Sequence, residues 1–233
     1  MNKTEFNACI RAEFKHISNL FFDQVEKYKI FLQDYNQKIN LTRLDTEPKI
    51  YGEYFYESIV PFKDLDLLKI HTLLDIGSGS GIPGMILKLL YPHLQLTIIE
   101  SNRKKCLFLK KLGEHLNIDV SIINQRAEKI QNCHREQFDL VTSRAVGALP
   151  IMVELSLPYL KIGGLLVEPK SKKWSEELLV SQKIITALGG KLRSTNQFQS
   201  ANDKFHAIFL IEKIKKTDPI YPREWNLILK GWQ

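Results

Sequence analysis

A doubly wound, mostly parallel α/β sheet behind an N-terminal helical extension is the fold this sequence predicts, on three observations. Apolar residues recur at helical spacing through residues 4–39. From residue 71, short apolar runs of strand length alternate with helical segments. The first of those runs ends in a glycine-rich turn. Strands that alternate with helices imply parallel pairing, because a parallel connection must cross back over the sheet.

Within residues 4–39, Phe14, Ile17, Leu20, Phe21, Val25, Tyr28, Phe31 and Leu32 fall three and four apart, giving one apolar helical face. A short connection follows Asn40-Leu41-Thr42. Pro48 suits the first turn of another helix, where its missing N–H is not needed. No Gly/Ser-rich linker follows, so residues 1–70 are expected to form a helical cap packed on a main domain of residues 71–233. In that domain residues 72–76 read as the first strand, 83–90 as a helix and 95–100 as the second strand. A helix over 103–116 precedes strands at 120–124 and 138–143. A helix around 151–160, a Gly163-Gly164 turn and a strand at 165–168 come next. Residues 176–188 are helical and 204–213 form a further strand, the final strands being able to pair antiparallel.

Apolar residues make up 44% of the 233 and charged residues 25%, the balance of a packed domain, which excludes a largely disordered chain. No apolar run approaches the ~18–20 residues of a spanning helix, and the N-terminus lacks the apolar core of a signal peptide. Cys9, Cys106 and Cys133 are scattered and odd in number, which suits neither a disulfide framework nor a metal site. A reduced, cytoplasmic setting with no membrane association is expected. His71, His93 and His115 share no ligand spacing and read as structural, so no metal is expected. The net charge of +7 is uneven: −1 over residues 1–70, +2 over 71–160 and +6 over 161–233. Lys170, Lys172 and Lys173, then Lys213, Lys215 and Lys216, concentrate it. A one-sided basic surface suits a polyanion such as RNA; a charge run by itself is equally a solvated face.

The chemistry centres on Asp75-Ile76-Gly77-Ser78-Gly79-Ser80-Gly81-Ile82-Pro83-Gly84. Glycines let the backbone turn tightly after a strand and approach a ligand, and the following helix N-terminus offers unpaired N–H groups. Glu100, 23 residues after Gly77, ends the next strand, where a carboxylate can accept from both ribose hydroxyls of a nucleoside. In a dinucleotide fingerprint starting at Gly77, the third glycine position is Ile82, too bulky for close helix approach under a pyrophosphate. Starting at Gly79 sets the motif too late after the strand. Asp75 would repel a pyrophosphate, yet could order the loop around a cationic methionine moiety. S-adenosylmethionine is therefore favoured over NAD, and the fold class becomes a Rossmann-like class I methyltransferase. Gln125-Arg126-Ala127-Glu128 and Ser143-Arg144-Ala145 follow the third and fourth strands, where ligands of such folds bind. Arg144 at a strand end suits a ligand role, its plain alternative being a surface ion pair.

These segments, with Glu100-Ser101-Asn102, residues 104–110, 141–146 and 163–170, resemble the RsmG family, also called glucose-inhibited division protein B. Tyr35-Asn36 and Asn40-Leu41-Thr42 are similar to its N-terminal signature, and Tyr221-Pro222-Arg223 extends the likeness more weakly. The resemblance implies transfer of methyl from S-adenosylmethionine to N7 of a guanine in a loop of small-subunit (16S) ribosomal RNA. It implies cofactor contacts at Gly77, Ile82, Ala127, Glu128 and Arg144, beside Asp75, Gly79 and Glu100 from the local logic. Lys170 resembles the family lysine after the Gly-Gly turn, a candidate for RNA or active-site contact. Lys170, Lys172, Lys173 and Arg223 are the expected RNA contacts, and Arg144 and Lys170 the expected positioning groups. The sequence departs from the family at Tyr54-Phe55-Tyr56-Glu57-Ser58, which replaces a His-Phe-x-Asp-Ser segment, and at Ser171, where glycine is usual.

Guanine N7 carries a lone pair and no proton, so no general base is expected, and alignment supplies the catalysis. A loop guanine would be unstacked and gripped by Arg or Lys donors. The partner is 16S ribosomal RNA or the small subunit, and a monomer is expected. Two other readings stand beside this one: a methyltransferase with a protein or small-molecule acceptor, and a non-catalytic RNA-binding module.

Overall fold

In the computed structural model, residues 1–15, 17–43, 46–130, 134–170, 174–200 and 205–231 are described. Strands β1 (Thr72–Ile76), β2 (Gln95–Ile99), β3 (Ser121–Ile123), β4 (Phe138–Thr142), β5 (Leu160–Lys170), β6 (Gly190–Gln199) and β7 (Phe205–Lys213) form one sheet. Its order is β3-β2-β1-β4-β5-β7-β6. Pairing is parallel from β3 to β5, and β7 lies antiparallel between β5 and β6. The connection after β1 leads to β2 on one side, while β4 occupies the other side. Their carboxyl ends therefore open a crevice at a topological switch point.

Apolar residues on successive positions of one strand serve opposite faces, because strand side chains alternate. Leu73, Leu140 and Val167 enter one core, and their neighbours Leu74, Val141 and Leu166 enter the other. The first core is closed by α5 (Gly84–Leu90), α6 (Arg103–Leu116) and the N-terminal helices α1 (Lys3–Glu13) and α2 (Asn19–Asn36). The second is closed by α7 (Leu149–Ser156), α8 (Trp174–Ala187) and α9 (Trp225–Leu229). This is the doubly wound arrangement expected. Among the described residues no helix is long and apolar enough to cross a membrane.

The expected single helical run over 4–39 is two helices. Asn2 and Glu5 form a reciprocal capping box at the start of α1, which ends at an extended Phe14. The Ser18 hydroxyl then accepts from the Leu20 N–H at 3.1 Å and starts α2 afresh. Periodicity alone conceals this break, because Phe14 and Phe21 are both buried in the same core. After α2 the chain enters α3 (Glu47–Lys49) with a proline in its first turn, as Pro48 suggests. It continues as a π-helical turn (Ile50–Tyr56) into α4 (Glu57–Ile59). Aromatic rings lock this layer: Tyr28 to Phe55 at 5.1 Å and Phe6 to Tyr51 at 5.3 Å between centroids.

Two expectations in the C-terminal half need correction. β5 begins at Leu160, not 165, because a 3-10 turn (Leu157–Tyr159) ends the preceding helical stretch early. β6 was not anticipated. Its sequence is polar on the outer side, and it becomes a strand by pairing antiparallel with the apolar β7 along nearly its whole length.

Arg223 anchors the segment after the sheet. Its backbone N–H and guanidinium make three bonds of 2.7–2.9 Å to both oxygens of Glu154, a buried carboxylate on α7. Arg223→Ala would leave that carboxylate buried without its cation, and we expect a loss of about 2–3 kcal/mol of unfolding free energy. Urea denaturation checks this; an unchanged midpoint would mean that the pair does not hold the C-terminal segment.

Candidate functional site

The glycine-rich turn lies over the carboxyl end of β1, as its position after a strand requires. Gly77 has φ +71°, and an added Cβ would lie 2.6 Å from the Val146 side chain. No L side chain adopts that conformation readily, and the space is already filled. Asp75 is fully buried beneath the turn, where its Oδ2 accepts the Gly84 N–H at 2.8 Å. Burial pushes its carboxyl up to about 7; the Glu168 and Glu100 carboxylates act in the same direction, against the pull of the Gly84 N–H. Asp75 is thus a support under the loop rather than a lining group.

Glu100 follows β2 and is 6% exposed. Its Oε2 accepts the Gly79 N–H at 3.0 Å and its Oε1 the Asn102 N–H at 2.8 Å, so the carboxylate joins the glycine turn to the start of α6. Beside it lies a cavity of about 260 Å³ lined by Gly77, Ile99, Ser101, Gln125, Ala127, Glu128, Val146 and Trp225, among others. Three sequence-predicted residues, Gly77, Ala127 and Glu128, therefore meet in one wall. The Tyr159 hydroxyl donates to the Ala127 carbonyl at 2.6 Å, and Glu128 pairs with Arg126. The Arg126 guanidinium lies 4.3 Å from the centroid of the Trp225 ring. Ile82 is half-buried, packs toward the first core and lines neither this cavity nor the next.

A second cavity, about 430 Å³, adjoins the first across Val146. Its wall includes Glu57, Arg144, Gly147, Lys170, Glu177, Phe198 and His206. Arg144, at the end of β4, points its guanidinium into the N-terminal layer. It donates to the Tyr54 carbonyl (3.0 Å), the Ser58 hydroxyl (2.5 Å) and the Glu53 carbonyl (2.5 Å), and pairs with Glu57 (3.2 Å). Desolvation by this burial pulls its pKa down, and the neighbouring Glu57 carboxylate opposes the shift. The segment in which the sequence departs from the family pattern is therefore the one that holds Arg144. Lys170 is only 8% exposed. Its ammonium donates to the Gly147 carbonyl at 2.6 Å and pairs with the buried Glu168 at 3.0 Å, which itself accepts from Ser143 at 2.6 Å.

Two of the four expected RNA contacts can be placed. Lys170 is a wall residue of the second cavity, and Arg223 is held on α7 by Glu154. Lys172 and Lys173 lie outside the described residues. Sequence reasoning missed Val146, Trp225, Glu177, Phe198 and His206. Val146 ends a family-like segment that carried no site assignment for it; no local motif marks the other four, since each comes from a part of the chain remote in sequence from the glycine turn.

The sequence model of the family described as rRNA small subunit methyltransferase G matches residues 22–206. A protein of Ureaplasma parvum named ribosomal RNA small subunit methyltransferase G is 42% identical over 234 residues, covering 99% of both chains. Its namesake in Bacillus subtilis is 36% identical over 96% of this chain and 95% of that one. Among solved structures, a Bacillus cereus O-methyltransferase in complex with S-adenosylhomocysteine superposes with a TM-score of 0.58 at 16% identity, covering 81% of this chain and 91% of that one. A putative O-methyltransferase of Klebsiella pneumoniae gives 0.59 at 13% identity, over 91% and 97%. At that identity the likeness is one of fold.

The support under the loop has a signature in solution. With Asp75 titrating near 7 in the folded protein and at its ordinary 3.8 when unfolded, the native state binds the extra proton between those values. Its contribution to stability is full below pH 3.8 and is lost as pH rises through 7. Relative to wild type, Asp75→Asn should gain stability between pH 5 and pH 8, by up to about 1.4 kcal/mol per pH unit at the steepest. Chemical denaturation at several pH values checks this, and parallel profiles would contradict it.

Proposed function

The chain belongs to the rRNA small subunit methyltransferase G family, and we propose that it transfers a methyl group from S-adenosylmethionine to N7 of a guanine in a loop of small-subunit ribosomal RNA. The observation that carries the reading is the pair of adjoining cavities above the carboxyl ends of β1 and β4, which share Val146 in their walls. One suits a nucleoside and the other an acceptor.

The residues present fit S-adenosylmethionine. Gly77, with no side chain and φ +71°, lines the smaller cavity and admits close backbone approach there. The Ile99, Leu155 and Trp225 side chains offer apolar surface to an adenine ring. Glu100, at the end of β2, supplies the acceptor for ribose hydroxyls. When bound, this cofactor supplies an electrophilic methyl on a cationic sulfur. The protein's own part is to hold the two reactants in line: the glycine turn and Glu100 fix one side, and the loop after β4, braced by Arg144 and Lys170, fixes the other. No side chain need take a proton, because N7 carries none. Arg144 and Lys170 act as positioning groups through the walls they hold. Lys172 and Lys173 are the phosphate contacts in this reading, and the protein acts as a cytoplasmic monomer.

Tritiated S-adenosylmethionine with small subunits or ribosomal RNA tests the reaction. Borohydride reduction followed by aniline should cleave the product RNA at one site, and label on ribose, an exocyclic amine or protein would contradict the N7 assignment. Glu100→Ala removes a charged acceptor, worth about ten- to a hundred-fold in cofactor affinity, read by calorimetry on folded protein. RNA association should weaken steeply with salt through counterion release. Lys172→Glu with Lys173→Glu should weaken it further while sparing cofactor affinity; binding that survives both would remove these lysines from the interface.

A further inference from the structure

We propose that the 430 Å³ cavity is the acceptor-base subsite, in which Glu177 selects guanine by its Watson–Crick edge while Phe198 and His206 offer a stacking face at the mouth. The proposal rests on the methyltransferase reading above and adds to it the residues that choose the base.

Three features converge. The first is place. Val146 lines both cavities and covers Gly77, so a base in the larger cavity lies next to the cofactor side. The second is polarity. Lys170 lines the cavity, and its three-donor ammonium gives one hydrogen bond to the Gly147 carbonyl and pairs with Glu168. Glu177, entering from α8, is anchored by one oxygen on the Leu149 N–H at 2.6 Å, and its carboxylate lines the same space. Guanine carries acceptors O6 and N7 on one side and donors N1–H and N2–H₂ on the other. With N7 turned toward Val146, the adjoining O6 meets the lysine and the donor edge meets the carboxylate. Adenine offers no such donor pair, and a pyrimidine has no N7. The third feature is aromatic. Phe198 and His206 face each other across the β6–β7 ladder with centroids 5.2 Å apart and planes at 22°. A base leaving its stack finds ring faces of this kind favourable.

Glu177 is a specificity residue in this scheme, and its test is independent of turnover. Binding of guanosine 5′-monophosphate and inosine 5′-monophosphate, which differ by the 2-amino group, is measured by saturation-transfer NMR on the full chain with S-adenosylhomocysteine present. Wild type should bind the guanosine nucleotide at least about ten-fold more tightly, the loss expected for one hydrogen bond to a charged acceptor. Glu177→Gln keeps the anchor on Leu149 and should remove most of that preference. Equal binding in wild type, or preference surviving in Glu177→Gln, overturns the assignment. Phe198→Ala should raise the KM for ribosomal RNA at least about five-fold with kcat little changed, and Phe198→Tyr should restore it; a fall in kcat alone would overturn the stacking role. Wild-type protein that methylates no ribosomal RNA would sink the broader functional reading whatever the nucleotides do. RNA methylated at guanine with no role for Glu177 or Phe198 would sink this proposal alone.

Discussion

Arg144 occupies the point where β4 leaves the sheet, and its guanidinium is enclosed by the N-terminal helical layer. A buried cation is tolerated only when acceptors surround it, since stripping its hydration costs several kcal/mol. Here the acceptors are two carbonyls, a hydroxyl and a carboxylate from residues 53–58. The same layer reaches the other loop: the Tyr28 and Tyr54 hydroxyls both donate to the Ser80 carbonyl, at 2.5 and 2.8 Å. One block of helices thus positions both the glycine turn and the loop after β4. The N-terminal segment is part of the site's scaffold even though the cofactor motif lies wholly outside it.

Beneath those loops the polar groups form a second constraint. Asp75, Glu100 and Glu168 are all buried, and each accepts from a specific donor: a helix N–H, a glycine N–H or a serine hydroxyl. Buried carboxyl groups that are hydrogen-bonded hold loops in one geometry, because any other arrangement leaves a buried polar group without a partner. A methyl transfer that depends on alignment needs such supports more than it needs a titrating group in the cavity.

Charge is less informative than its total suggests. The excess of +6 over residues 161–233 includes Lys213, which is fully buried, donates to the Leu157 carbonyl at 2.8 Å and pairs with Glu136. Lys170 is buried beside Glu168, and Arg223 is bound to Glu154. These side chains hold sheet and helices together, and their charges are compensated within the protein. Net charge bounds the class of partner; it does not locate the interface.

Much of the fold was legible in local pattern. Apolar runs of strand length with a glycine turn after the first fix a parallel α/β sheet, because both faces of each central strand must be buried. Asp75 through Gly84 with Glu100 picked out the turn over β1 and the carboxylate that accepts the Gly79 N–H, since a turn and a strand-end acid are local features of the chain. The break at Ser18 and the strand 190–199 were obscured, the first by a shared apolar face and the second by a polar edge whose partner is β7. What tertiary structure alone decided is which side chains meet. Arg144 turns inward to residues 53–58 and Lys170 to Gly147, while Trp225 and Glu177 arrive at the two cavities from α9 and α8. Those encounters join residues tens of positions apart, so they depend on how the two helical layers pack, which no short-range spacing records.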